Sequence, residues 1–327
     1  MESVLKTNIN LWKTSRGLEP YADKTIDKYI RDVRKLAPPN YTDMDWAEDT
    51  KSVSAKLKKF KPTTQRNYYN SLLIALYASG VKKGTGVSRV YEAKRDMLNA
   101  MYENQGGNTD KQKEILQNVN KETIDAMLAT MKKDLRTRHT HMVYVMINIY
   151  KRYAFRNDVA GMEIFPNNIY DEIDEEERKE TNYLVLGKPP ESMSFILNQY
   201  KTSKKYGEKV FEIQDDELQA IIRQWIDRKI DKKWDVLENK VIYLFDWATG
   251  NPLTRNDISH ALSDAFNKYI GYSVSTTLLR KIYSHTIQDI NSASDEEVEK
   301  VIKQADISGH SVKTKAKTYH THKFVGV

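Results

Sequence analysis

The only Gly-Gly pair in the chain, Gly106-Gly107, lies in the polar stretch Gln105-Gly106-Gly107-Asn108-Thr109-Asp110, and it sets the strongest limit on how these 327 residues can fold. Single hydrophobic cores stop growing near about 250 to 300 residues, so a chain of this length accommodates two cores of ordinary size. Adjacent glycines among polar residues mark the place where one core ends and the next begins. The expected division is a first domain over 1–105, a linker over 106–118 and a second domain over 119–327.

The first domain reads as helical. In Lys24 to Leu36, the residues Ile26, Tyr29, Ile30 and Val33 recur at helical spacing, and Pro38-Pro39 follows. A second amphipathic helix runs over Thr63 to Tyr77, between Pro62 and Gly80. In the second domain, Lys121 to Leu135 and His141 to Phe155 predict two helices, followed by an acidic loop at Asp171 to Glu180. Tyr183-Leu184-Val185-Leu186, Ser194-Phe195-Ile196-Leu197 and Val210-Phe211-Glu212-Ile213 then predict three short strands. The turn Tyr200 to Gly207 joins the second strand to the third. Helices resume near Leu218 to Ile230, Leu237 to Ala248, Asn256 to Tyr269, Thr276 to Ile287 and Glu296 to Ala305. The fold class expected is mainly α (α+β), with a small three-stranded antiparallel sheet in the second domain.

A net charge of +7 and a pI near 9.1 favour a polyanionic partner, because Lys and Arg that neutralise phosphates release condensed counterions. Lys56, Lys58, Lys59, Lys61 and Arg66, then Lys82 and Lys83, give the first domain a basic density suited to a duplex backbone. Mean hydropathy is −0.69, and no run approaches the roughly 18 apolar residues of a membrane span. With no secretory pattern at Met1 to Asn8 and no cysteine, the expected location is intracellular, wherever the target DNA lies.

Chemistry-bearing residues follow in a definite order. Arg156 comes just after a helix, Lys201 lies on the strand-to-strand turn, Thr277 and Arg280 share Thr277-Leu278-Leu279-Arg280, His310 follows Gly309, and Tyr319 stands between Thr318 and His320. Tyrosine is one of the few side chains able to bond covalently to phosphorus. This order resembles the tyrosine recombinase and integrase family, whose catalytic domain carries an arginine after an early helix, a lysine on a β-hairpin, a His-x-x-Arg box, a Gly-His turn and a late tyrosine. The resemblance covers roughly residues 120 to 325. The Thr-led helices beginning near Thr25 and Thr64 are similar to those of the family's core-binding domain, which forms half of a clamp around DNA.

The resemblance implies cleavage and rejoining of DNA through a 3′-phosphotyrosyl ester. Two arginines, Arg156 and Arg280, would hold the nonbridging oxygens with planar, paired donors while charge builds in the transition state. Lys201 would protonate the leaving 5′ oxygen, with Lys204 and Lys205 as further candidates. His310 would bond the same phosphate or help to take the phenol proton from Tyr319. Thr277 stands where the family has histidine and cannot take a proton near neutral pH, so the base is His310, water or His285. Asp158, two residues after Arg156, would orient that arginine. The ester stores the bond energy, so the chemistry calls for no cofactor, ATP or metal. Double-stranded DNA, a homotetramer on paired sites, and insertion of a viral or other mobile element are what the family pattern further implies.

Other chemistries fit less well. Gly84-Thr85-Gly86 lacks the Gly-Lys-Ser/Thr end of a phosphate loop. His139-Thr140-His141 and His320-Thr321-His322 have no carboxylate or cysteine near them in a ligand pattern. The acidic run Asp171 to Glu177 reads as a solvated loop rather than a two-metal nuclease site. A type IB topoisomerase uses a similar residue set to relax supercoils, and a DNA-binding protein with a decayed active site would tolerate Thr277; both remain alternatives.

Overall fold

The computed structural model describes residues 2–104, 108–153, 155–187, 192–229 and 241–283. The chain forms two compact units, Met1–Asn108 and Thr109–Val327. Residues 105–107, with the Gly-Gly pair, lie outside the described residues.

The first unit is built from helices α1 (Glu2–Thr14), α2 (Asp23–Leu36), α3 (Thr50–Leu57), α4 (Pro62–Ala78) and α5 (Gly86–Asn104). Ile26, Ile30 and Val33 fall on one stripe of α2 and bury against Leu72, Leu73 and Leu76 of α4 and Leu5 and Ile9 of α1. Helix α4 opens with Pro62, whose missing N–H would have no partner in a first turn. A buried carboxylate, Asp32, accepts from Ser71 Oγ at 2.7 Å and Lys28 Nζ at 2.7 Å, joining α2 to α4 with its charge matched.

The second unit begins earlier than its sequence suggests. The stretch expected as linker carries α6 (Asp110–Asn118), started by a Thr109–Gln112 capping box and sealed by Ile115 in the core. Then come α7 (Lys121–Lys132) and α8 (Arg138–Arg152), the latter buried along the whole of Thr140 to Tyr150. A helix buried on every side belongs at the centre of its unit. Around α8 pack α12 (Asp216–Lys229), α13 (Arg255–Ile270) and α14 (Thr276–Tyr283).

Among the described residues the sheet has four strands rather than three, β1 (Glu163–Pro166), β2 (Tyr183–Leu186), β3 (Met193–Leu197) and β4 (Lys209–Ile213), in that order. Strand β1 pairs parallel with β2, Ile164 opposite Leu184; the other pairs are antiparallel, with Phe195 opposite Phe211. Only four residues long and ended by a proline, β1 lacks an alternation that would mark it. Short helices α9 (Asn167–Tyr170) and α10 (Glu175–Arg178) fill the crossover from β1 to β2, so the acidic run is partly helical. Another, α11 (Ser203–Tyr206), forms the β3–β4 turn.

The helix expected over Leu237 to Ala248 is absent from its described part. Ile164 N–H donates to the Ile242 carbonyl at 2.8 Å and Leu244 N–H to the Met162 carbonyl at 2.7 Å, so residues 242–244 run extended beside β1. Their backbone groups meet the open sheet edge, and Leu244 and Phe245 enter the core. The expected helix at Glu296 to Ala305 lies outside the described residues.

Two buried polar features of this core have measurable consequences. Asp246 accepts from Lys229 and Arg138, each at 2.6 Å, and the Lys229 side chain is only 5% exposed. Burial pulls the Lys229 ammonium below its ordinary pKa, opposed by Asp246. Asp246→Ala should therefore lower stability by about 3 to 5 kcal/mol, read as a fall in the urea midpoint, because it leaves a buried cation unmatched.

His141, 2% exposed, packs edge-on to Trp225 at 5.4 Å. Burial, helped by Arg228, holds its pKa below the ordinary 6.5. Below that pH the unfolded chain binds a proton that the folded chain refuses, so stability falls as pH drops. The slope contributed by this residue is at most about 1.4 kcal/mol per pH unit. Urea midpoints at pH 7.5 and 5.5 should differ more for the native chain than for His141→Phe.

Candidate active site

The end of α8 and the aromatic packing beside it fix where Arg156 sits. Phe155 stacks on Tyr153 at 5.2 Å and meets Phe195 of β3 edge-on at 5.4 Å, clamping the segment before Arg156 to the sheet. From α8, the buried hydroxyl of Tyr150 donates to the Arg156 carbonyl at 2.9 Å. Asn157 Nδ2 donates to the Arg255 carbonyl at 2.6 Å and to Ser259 Oγ at 2.7 Å, tying the same turn to the start of α13. Burial pushes the Tyr150 phenol far up, so it stays a neutral donor.

Asp158 is the buried centre of this turn. Arg255 Nη2 donates to Asp158 Oδ1 at 3.2 Å and to the Gln199 carbonyl at 3.3 Å. Burial raises the Asp158 carboxyl; Arg255, Arg156 and Arg280 each pull it back, and the Arg156 main chain adds a hydrogen bond. The Arg255 guanidinium is ion-paired with this carboxylate, and the charges of Arg156 and Arg280 also act on it. Asp158, expected to orient Arg156, is ion-paired with Arg255, while Arg156 acts on it by charge and by a main-chain hydrogen bond.

Arg280 reaches the cluster from α14, 7% exposed and beside the equally buried Lys281. Burial and then Arg280 lower the Lys281 pKa. Thr277, one turn earlier, accepts from Arg280 Nη2 at 3.4 Å. Where a histidine would supply a proton acceptor, this chain places a hydroxyl oxygen against the arginine.

Lys201 is exposed on the β3–β4 turn, as is Lys204; the Lys205 side chain is not among those described. Tyr200 OH donates to the Gly207 carbonyl at 2.8 Å and closes the turn. Its base is held by Asn182, whose Nδ2 donates to the Asp158 carbonyl at 2.8 Å and the Gln199 carbonyl at 3.1 Å. Asn182 Oδ1 accepts from the N–H groups of Asn198 and Gln199 at 2.8 and 2.7 Å. His285, His310 and Tyr319 lie outside the described residues.

Four contributors to this network, Arg255, Asn182, Asn157 and Tyr150, were not among the sequence candidates. A Thr254–Asp257 capping box marks Arg255 as a first-turn residue, but its partner is 97 residues away. Among the described residues, no group of three His, Asp or Glu is placed to hold a metal ion.

In the first unit, Lys58, Lys59 and Lys61 are exposed before α4, and Arg66 lies over the Tyr102 ring at 5.1 Å. Lys56 Nζ donates to the Leu36 carbonyl at 2.8 Å, completing the end of α2 instead of standing free. Lys82 and Lys83, also exposed, follow the other end of α4. That helix has 17 residues, about 25 Å, so the two basic groups are separate.

No family model and no curated protein matches the sequence. Among solved structures, the Tn1549 transposon integrase in complex with transposon right end DNA superposes with a TM-score of 0.56 at 14% identity, over 97% of this chain and 95% of that chain. The fold is that of the tyrosine recombinases and integrases. A lambda integrase dimer bound to a COC′ core site superposes with a TM-score of 0.51 at 11% identity, over 98% of this chain and 79% of that one. Within the recombinase fold, the small sheet and its lysine-bearing turn stand next to the helix and turn that present Arg156. Among the described residues no helix is long and apolar enough to cross a membrane.

Proposed function

We propose that the chain is a site-specific DNA recombinase or integrase that cleaves and rejoins strands through a 3′-phosphotyrosyl intermediate. The observation that supports this reading is the joining of the Arg156–Asp158 turn to the base of the Lys201 turn through Arg255, with the Arg280 charge also acting on Asp158, on the tyrosine recombinase fold. Cationic donors fixed before substrate arrives can stabilise a phosphoryl transition state without reorganising.

In the proposed reaction the Tyr319 oxygen attacks phosphorus while the bond to the 5′ oxygen breaks. Arg156 and Arg280 hold the nonbridging oxygens, and Lys201 gives its proton to the leaving oxygen. The phenol proton passes to His310 or water; Thr277 steadies Arg280. Rejoining reverses each transfer. The first unit, Met1–Asn108, supplies duplex contacts through Lys58, Lys59, Lys61, Lys82 and Lys83, and the catalytic groups lie in the second. Double-stranded DNA of a viral or other mobile element is the proposed substrate, acted on by four protomers on paired sites.

The test is trapping on nicked suicide duplexes carrying the ends of the element that encodes the chain, in EDTA. A protein–DNA band on a denaturing gel is expected. DNA bound without any band would leave a binding protein instead.

A further inference from the structure

We propose that Arg255 is a positioning residue that locks the Lys201 turn to the Arg156–Asp158 turn, so that proton donor and phosphate clamp act as one unit. The inference rests on the recombinase reading above and adds a residue to it. One guanidinium nitrogen bridges Asp158 Oδ1 and the Gln199 carbonyl, and Gln199 precedes Lys201 by two residues.

Both ends of this bridge are held. The Arg255 main chain is fixed by the Thr254–Asp257 box at the start of α13 and by Asn157 on its carbonyl. Asp158 is 6% exposed in its side chain, against 55% for Arg255. A rigid buried acceptor therefore meets a guanidinium that can be removed from the surface without opening the core. Asn182 makes a second connection between the two turns, but from a buried position, so it maintains the sheet whether or not Arg255 is present.

The consequence falls on proton transfer. A general acid must lie within hydrogen-bond reach of the leaving oxygen, and misplacement by about 1 Å can cost a hundredfold. Lys201 is exposed at a turn, and its placement depends on what holds the base of that turn. A planar fork can serve two acceptors in fixed directions; an ammonium on a flexible stem does so less well.

A bridging-sulfur substrate separates this role from a merely structural one. Thiolate leaves without a proton far more readily than alkoxide, since a thiol ionises near pH 8.5. Single-turnover cleavage would be measured on two nicked duplexes differing only in oxygen or sulfur at the 5′ bridging position. Arg255→Ala should slow the oxygen substrate by about ten- to a hundredfold yet cleave the sulfur substrate within about threefold of the native rate. Arg255→Lys should recover only part of the oxygen rate. DNA affinity should change little, while the thermal midpoint should fall because buried Asp158 loses its nearest cation, so rates are compared well below that midpoint; if Arg255→Ala unfolds, Arg255→Gln carries the same comparison. Equal slowing on both substrates, or a native rate on oxygen, overturns the proposal while the recombinase reading stands. No adduct from the native chain on either duplex overturns that reading, and this inference with it.

Discussion

Tyr319→Phe is expected to abolish the covalent DNA adduct while DNA affinity stays within a small factor of the native value. The change removes one oxygen and keeps the ring, so any packing by the aromatic face survives. What disappears is the atom proposed to bond to phosphorus, without which the phenylalanine ring has no nucleophile to form the ester. The comparison is a denaturing gel of trapped complexes beside a mobility shift at the same protein concentrations. An adduct that persists would assign the nucleophile to another of the 20 tyrosines. Affinity lost together with the adduct would make Tyr319 a binding or structural residue.

The candidate site was legible where its chemistry is local. Thr277 and Arg280 are three apart on one helix, and that spacing alone puts their side chains on one face, as the 3.4 Å contact reflects. Arg156 could be placed after α8 because the apolar stripe ending at Tyr150 is plain in the sequence. The role of Arg255 could not be read that way. Its capping box signals a helix start, and the same residues would read identically if the guanidinium faced solvent. Only the packing of α13 against the Arg156–Asp158 turn gives it Asp158 as a partner.

The same division holds for the fold. Strand β2 coincides with Tyr183 to Leu186, where a continuous apolar run is bounded by polar residues. Residues 242–244 misled because Ile242, Leu244 and Phe245 satisfy short helical and extended patterns alike. The open edge of β1 decides between them, and β1 is itself too short to be seen from sequence. Asn182 shows the limit most clearly. One polar residue ahead of a strand looks like ordinary loop sequence, yet its amide satisfies four main-chain groups and joins the two turns of the site.

Arg280→Ala should lower the cleavage rate by about a thousandfold, roughly 4 kcal/mol of transition-state stabilisation, with a much smaller loss of DNA affinity. The size follows from where the guanidinium sits. It is nearly buried beside Lys281, so its field on an incoming phosphate is screened less than that of a surface arginine. Charge on the nonbridging oxygens grows during attack, and a donor pair fixed in advance gains most at that point. Arg280→Lys should recover only part of the rate, because an ammonium keeps the charge and loses the fork. Asp158 would still have Arg156 and Arg255 close by in either variant, so the buried carboxylate stays matched and the fold should hold. Single-turnover cleavage and thermal unfolding of both variants separate the two effects. A near-native rate in Arg280→Ala would remove Arg280 from the phosphate clamp and leave it a structural role.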